Sequence, residues 1–205
     1  MNGYLSLKRL SLLPIVDTML THHTAQHFPF LNFPDNSASR TVFYRSLCRV
    51  LFQDKNIEKF DTFIAPFSQN FEILVNQSSV EALKQDQCKI LLIGLVRDLT
   101  GIFSACQNRA HYERVWDWIY PKYIEIIGKA AGLLYDCPTV TSPVLKLGIQ
   151  IATNYGGRLE FGCSSANGIL LFREISKFVV EYGSLFSFYF YSSLVVHLET
   201  NWRGN

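Results

Sequence analysis

Three histidines close together are the first residues in this sequence that could do chemistry. His22, His23 and His27 could place two imidazoles one helical turn apart, as helices do when they present ligands to a zinc ion. Pro29 ends any helix soon after them, and no carboxylate or cysteine completes a ligand set. The pattern therefore favours a solvated loop over a metal site.

A nucleophile and a phosphate-binding loop are the other chemistries that the residues suggest. Cys106 and His111 are close in the chain, but no orienting acid accompanies them, so Cys106 is expected to close an apolar helical stripe. Gly156 and Gly157 follow a helix without the ending of a phosphate loop, which favours a helix-ending turn. We predict no catalytic residue, no metal ligand and no cofactor, and the protein is not expected to be an enzyme.

Arg97 and Asp98 could serve binding instead. They form a charged pair in the middle of the most apolar helical stretch. Such a pair either contacts a partner, lies between adjacent repeats, or faces solvent.

An aromatic cluster around Pro121 is the second binding candidate. Its members are Trp116, Trp118, Tyr120 and Tyr123. Helical spacing brings Trp116 near Tyr120 and sends Trp118 to the opposite flank. Core packing at a repeat interface is the favoured interpretation, and a groove for a ligand peptide is the alternative.

The composition limits the classes of protein. Of the 205 residues, 48% are hydrophobic and 18% charged, which predicts extensive burial. The net charge of +2 is not gathered in a basic run, so we expect no nucleic-acid partner. The five cysteines are scattered and odd in number, which favours a reducing compartment.

The elements that must position these residues are predicted to be helices. Apolar residues recur every three or four positions from Phe60 to Leu74, from Cys88 to Cys106 and from Leu171 to Tyr182. Strand signals are scarce, and the two Asn-Gly pairs, at residues 2–3 and 167–168, do not join alternating apolar runs as a hairpin turn would. Glu174 and its charged neighbours fall largely off the last stripe, so they are expected to be exposed.

Two prolines mark predicted helix irregularities. Pro66 should kink or restart its helix, because it lacks an amide donor and clashes with the preceding turn. Thr141 or Ser142 is predicted to cap another helix, with Pro143 at its first position.

Three helix pairs recur at intervals of about 40–50 residues, the period of HEAT and armadillo repeats. The sequence thus predicts an all-α fold, an α-solenoid of about three antiparallel helix pairs, with a globular helical bundle as the alternative. We expect an N-terminal helical segment (1–26), a HEAT-repeat segment (27–183) and a divergent aromatic tail (184–205). The tail's apolar run is shorter than the ~20 residues of a spanning helix, so no membrane insertion is expected.

Several strings of residues resemble one known family. They are HFPFLNF with RTVFYRSLCRVL, LVRDLTGI (Leu95–Ile102), WIYPKY (Trp118–Tyr123), TSPVLKL (Thr141–Leu147) and NGILLFREISK (Asn167–Lys177). In order and spacing they are similar to a middle to C-terminal region of exportin-7 and its Ran-binding relatives, nuclear transport receptors of the importin-β superfamily. The similarity covers roughly His27 to Gly183, and neither flanking segment resembles the family.

The resemblance implies a HEAT-repeat solenoid that carries protein cargo through nuclear pores under control of the GTPase Ran, without catalysis or a cofactor. Its expected partners are Ran-GTP and protein cargo, in the full-length parent, and nuclear pore proteins. A monomer in cytoplasm, nucleus and nuclear pore complex is expected. The alternatives are a HEAT-type scaffold without Ran dependence and a truncated product without a function of its own.

Overall fold

A computed structural model describes residues 14–33, 37–53, 57–77, 79–161, 165–180 and 183, and all regular secondary structure within them is helical. The α-helices are α1 (Pro14–Thr21), α2 (Ser37–Leu51), α3 (Phe60–Asn76), α4 (Val80–Leu83), α5 (Asp86–Ala105), α6 (Arg109–Ile119), α7 (Lys122–Leu133), α8 (Pro138–Ala152) and α9, helical over 167–180. Short 3-10 turns lie at Pro29–Asn32, Ile57–Lys59 and Tyr155–Gly157. None of the helices in these ranges has both the length and the apolar character needed to cross a membrane.

The helices stack in series, as the repeat period of the sequence predicts. The Tyr44 ring of α2 lies 5.0 Å from the Phe67 ring of α3, α5 contacts α6, and Phe178 of α9 packs against Gly128 of α7. Helices α2, α5 and α8 are the first helices of the successive repeats. They start at Ser37, Asp86 and Pro138, about 50 residues apart, which is close to the period of HEAT-type repeats. This arrangement confirms the all-α solenoid.

The first helices lie side by side in one layer, with α5 packed between α2 and α8. Gly94 of α5 lies against Arg40 of α2, and Gly101 lies against Tyr44, so these two helices run in the same direction. The second helices form the other layer and are also parallel. Their register is given by the pairs Ser68–Trp118, Glu72–Lys122, Asp117–Asn167 and Gly128–Phe178.

The predicted apolar stripes form the core between the two layers. From α3 they include Phe63, Phe67, Phe71 and Leu74, and from α5 they include Leu92, Leu95, Leu99 and Ile102, all of which are buried. Because both faces of α5 are covered by neighbouring first helices, its stripe is broader than that of a helix packed on one side.

The prolines behave differently from one another. Pro121 separates α6 from α7 as predicted, with a cis peptide bond after Tyr120. Pro66 lies inside a single helix, α3, which continues to Asn76. The predicted start of α8 at Pro143 is wrong, since the helix begins at Pro138 and contains Pro143. Pro138 also fits the first helical position, and the extra turn buries Val140 against the core.

The expected exposure of Glu174 is also wrong, because this residue is buried. Its carboxylate accepts hydrogen bonds from Arg173 Nε at 2.9 Å and from Lys177 Nζ at 3.1 Å. The two cations remain exposed and compensate the charge of the acid beneath them.

Candidate interaction site

Helices α2 and α5 approach each other closely at Gly101 of α5. A Cβ atom at Gly101 would lie 2.5 Å from the Thr41 carbonyl oxygen and 3.0 Å from the Arg45 amide nitrogen. The absent side chain therefore allows the two backbones to touch. The Thr41 hydroxyl adds a 2.9 Å hydrogen bond to the Arg97 carbonyl oxygen across the same seam.

A buried ion pair spans this seam. The Arg40 guanidinium donates through Nε (2.8 Å) and Nη2 to the two carboxylate oxygens of Asp98, and through Nη1 to the Leu31 carbonyl. Burial raises the pKa of the Asp98 carboxyl, and the Arg40 guanidinium opposes that rise by stabilising the charged form. Of the roles that the sequence left open for Asp98, the structure shows the one between adjacent repeats.

Arg97 points to a different environment from its neighbour in sequence. Its Nε atom is buried without a hydrogen-bond partner, and no ion pair or hydrogen bond from the described part of the chain engages its guanidinium. It lines a cavity of about 290 Å³, which we call the Arg97 groove. The groove is lined by Leu31, Asn32, Phe33, Arg40, Ile90, Ile93, Gly94, Arg97 and Thr139.

A second buried cation joins the carboxyl ends of α5 and α8. The fully buried Arg158 donates to the carbonyl oxygens of Phe103 (2.6 Å), Gln150 (2.5 Å) and Thr153 (2.8 Å), with a longer 3.3 Å bond to Cys106. Carbonyls at a helix C-terminus lack the full set of helical amide donors, although the Phe103 carbonyl also accepts from the Cys106 amide at 3.2 Å, and a cation there complements both helix dipoles. Arg158 thus holds the second seam as Arg40 holds the first.

The aromatic cluster packs the second layer, as the favoured interpretation predicted. Trp116 is fully buried and stacks on Tyr120 with ring centroids 5.6 Å apart. Trp118, on the other flank, donates from Nε1 to the Ser68 hydroxyl of the preceding repeat at 2.9 Å. Tyr123 stacks on Phe71 at 4.8 Å. These rings serve packing between neighbouring repeats.

The three histidines separate into two environments. His22 and His27 are exposed, with their rings in edge contact at 4.9 Å. For His23 the solvated-loop prediction is wrong, because the residue is buried with Nε2 2.9 Å from the Phe63 carbonyl oxygen. Burial lowers the pKa of His23 to about 4, so the ring is neutral at pH 7. Within the described residues no group of three metal-binding side chains comes together.

The remaining candidates for chemistry serve structure. Burial raises the pKa of the Cys106 thiol to about 12, and Sγ donates to the Ile102 carbonyl, so it lacks the thiolate character of a nucleophile. The ring of His111 stacks on Phe52 at 4.7 Å. Gly156 and Gly157 form the predicted turn after a helix, with φ angles of +61° and +70° that favour glycine.

Sequence reasoning missed Arg40 and Arg158. Both arginines lie near helix ends or loops and follow no motif. Arg40 pairs with an acid, and Arg158 donates to the backbone carbonyls of Phe103 and Cys106, in each case across more than fifty residues of chain. The one signal available was the isolated Asp98 in an apolar stripe, since a buried acid needs a cation opposite it.

One side of α9 is apolar and exposed. Ile169, Phe172 and Val179 are each at least 64% exposed, whereas Leu171 and Phe178 on the other side are buried against the preceding pair. The last described pair therefore carries apolar surface on two sides, a property of repeats with neighbours on both sides.

Comparison with known proteins identifies the class to which this fold belongs. No family model matches the chain, and no solved structure matches it significantly. Among curated proteins, Ran-binding protein 17 of Homo sapiens is 41% identical over 189 residues, 89% of this chain. Exportin-7-B of Xenopus laevis is 39% identical over 89% of the chain, and exportin-7 of Dictyostelium discoideum is 37% identical over 90%.

These relatives confirm the resemblance found in the sequence. The helix-pair fold places the chain among the HEAT-like helical repeat proteins, the class that the sequence predicted. Within that class, the chain belongs to the family of exportin-7 and its Ran-binding relatives. It spans 17% of the length of Ran-binding protein 17 and 18% of that of the Dictyostelium exportin-7.

Proposed function

We propose that this chain serves nuclear transport as a section of an export receptor that carries protein cargo and responds to Ran-GTP. The observation that carries the proposal is the identity of 37–41% over about nine-tenths of the chain to proteins named exportin-7 and Ran-binding protein 17. The stacked helix pairs support it, because such proteins act through extended surfaces. The role we assign is non-catalytic.

The organisation of the chain is part of the proposal. Residues 27–183 form the HEAT-repeat segment, between the N-terminal segment 1–26 and the aromatic tail 184–205. The exposed apolar row on α9, formed by Ile169, Phe172 and Val179, fits a segment whose repeats continue in the parent receptor. Residues 1–13 and 184–205 lie outside the described residues.

The partners and location follow from the same proposal. Ran-GTP, protein cargo and nuclear pore proteins are the partners, and the protein is a monomer that moves between cytoplasm and nucleus through the nuclear pore complex. A fluorescent fusion should therefore appear in both compartments and at the nuclear rim. A fusion that stays in one compartment, and remains there when export is blocked, would contradict this location.

The decisive experiment titrates the purified chain with Ran loaded with GTP or with GDP. The proposal expects binding that is at least about tenfold tighter for the GTP form, a difference of about 1.4 kcal/mol. GDP-loaded Ran at the same concentration is the matched control, and circular dichroism establishes that the chain is folded.

A folded monomer that binds neither form of Ran would remove the Ran-dependent function from this chain. The second candidate, a HEAT-type scaffold without Ran dependence, would then be favoured, since the repeat fold itself would be unaffected. A polydisperse or unfolded chain would favour the truncated, non-functional product instead.

A further inference from the structure

The Arg97 groove lies on the first-helix layer, where α2, α5 and the first turn of α8 meet the Pro29–Asn32 turn. Its walls are apolar, and its cations come from Arg40 and Arg97. A cavity of about 290 Å³ is at the lower end of the volumes that bind small ligands. It fits one large apolar side chain and a neighbouring polar group.

The two arginines of the groove are not equivalent. Arg40 is satisfied, because its guanidinium already donates to the Asp98 carboxylate and to the Leu31 carbonyl. Arg97 has a buried Nε without an acceptor. A buried donor without a partner is unfavourable and rare in native proteins. Arg97 is therefore the group that a ligand would satisfy.

The apolar walls also lack a partner. Phe33 and Ile90 border the groove and are 57% and 55% exposed. Apolar rings and aliphatic chains beside an unpaired guanidinium match a ligand that carries both an apolar side chain and an anion. A bare inorganic anion would leave those walls in water.

The charges of the surrounding layer favour an acidic ligand. Asp98 is neutralised by Arg40, and Asp86 is paired with Lys89. Arg45 and Arg49 of α2 and Lys146 of α8 are exposed cations for which the described residues provide no acidic partner. A layer with this excess of cations attracts acidic partners before contact is made.

We propose that the Arg97 groove is a docking site for a protein segment in which a carboxylate adjoins a large apolar side chain. The carboxylate accepts hydrogen bonds from Arg97, and the apolar side chain packs between Phe33, Ile90 and Ile93. The inference holds whether the chain acts in transport or as a scaffold, so it stands apart from the Ran titration.

The test uses the whole chain and a fluorescein-labelled peptide that repeats Asp-Leu-Phe, followed by fluorescence anisotropy. We expect saturable binding that weakens at least about tenfold when each Asp of the peptide is replaced by Asn. Arg97→Gln should weaken binding by about tenfold as well. Arg109→Gln, which removes an equal charge from an exposed arginine of α6 outside the groove, should change it less than about twofold.

Ile90→Ser tests the apolar wall independently of Arg97. The side chain is 55% exposed, so the variant should fold, and we expect binding to fall about fivefold. Any of the following results would overturn the proposal: equal binding of the Asn peptide, equal losses for Arg97→Gln and Arg109→Gln, or full competition by inorganic phosphate at the same concentration as peptide. Self-association of the chain that buries the groove and blocks the peptide would also overturn it.

Discussion

The His23 ring packs beside those of Phe63 and Phe67, with centroids 4.3 Å and 5.4 Å away, and its Nε2 atom lies 2.9 Å from the Phe63 carbonyl oxygen. A carbonyl only accepts, so Nε2 carries the proton, and Nδ1 is buried without a partner. Protonation of Nδ1 would therefore place an uncompensated charge in the core. This is the physical reason that burial holds the His23 pKa near 4.

We predict that His23 destabilises the fold in acid. Its pKa is 6.5 when unperturbed and about 4 in the folded chain, so between these values the unfolded state binds the extra proton. The free energy of unfolding contributed by His23 falls by about 3 kcal/mol as the pH decreases from 7 to 4. Urea unfolding of wild type and His23→Gln across this range measures the effect.

The comparison between variants is needed because Asp98 acts in the opposite sense. A carboxyl whose pKa is raised in the folded state stabilises the fold as the pH falls. The difference between wild type and His23→Gln cancels this contribution, and the exposed His27→Gln is the matched control. A pH-independent difference would contradict the assignment of His23.

Arg158 gives a second prediction at the scale of a residue. Replacing it by Met leaves four carbonyl bonds of two helix ends unmade, and we expect a loss of about 3–5 kcal/mol in the free energy of unfolding. Lys keeps the charge but not the fork of donors, so Arg158→Lys should lose about 2–3 kcal/mol. The exposed Arg45→Lys should change stability by less than about 0.5 kcal/mol. Chemical denaturation measures these losses. If Arg158→Lys and Arg45→Lys destabilised the chain equally, the structural role assigned to Arg158 would be wrong.

At the scale of the element, two helical glycines make a matched pair. An added Cβ at Gly101 meets the backbone of α2, whereas at Gly148 of α8 nothing lies within 4 Å. Alanine favours a helix over glycine by about 1 kcal/mol. Gly148→Ala should therefore stabilise the chain by about 0.5–1 kcal/mol.

Gly101→Ala should instead destabilise it by about 1–3 kcal/mol, because overpacking exceeds the gain in helix propensity. Thermal and urea unfolding of both variants check the two signs together. Equal stabilisation by both substitutions would mean that α2 and α5 can separate slightly without cost.

At the scale of the molecule, the stacked pairs predict an uneven distribution of stability. Helix α5 is covered on both sides by α2 and α8, while one side of α9 is exposed. In a repeat protein stability is a sum of repeat and neighbour terms, so a helix with fewer neighbours opens more easily. Hydrogen exchange should be slowest between Leu92 and Phe103 and at least about tenfold faster within 167–180. Equal protection of both regions would show that something covers the exposed side of α9.

Much of this architecture follows from the sequence. The spacing of Phe60, Phe63, Phe67 and Phe71, and of the apolar residues of α5, determined the helices and their buried faces. Helical periodicity is a local property, so it is visible without a partner. The strings that resemble exportin-7 determined the family, which the relatives confirm.

Only the tertiary structure decided which polar residues matter. His23, Glu174 and Asp98 are ordinary hydrophilic residues in the sequence, but in the fold each is buried and tied to a partner. Arg40 and Arg158 hold the two seams, and Arg97 lines the groove. They differ only in the groups that surround them, and the partners across the seams are about 50 residues away in the chain. The cost of burying a charge or a donor depends on which groups surround it in space, and that surrounding is set when the helix pairs stack.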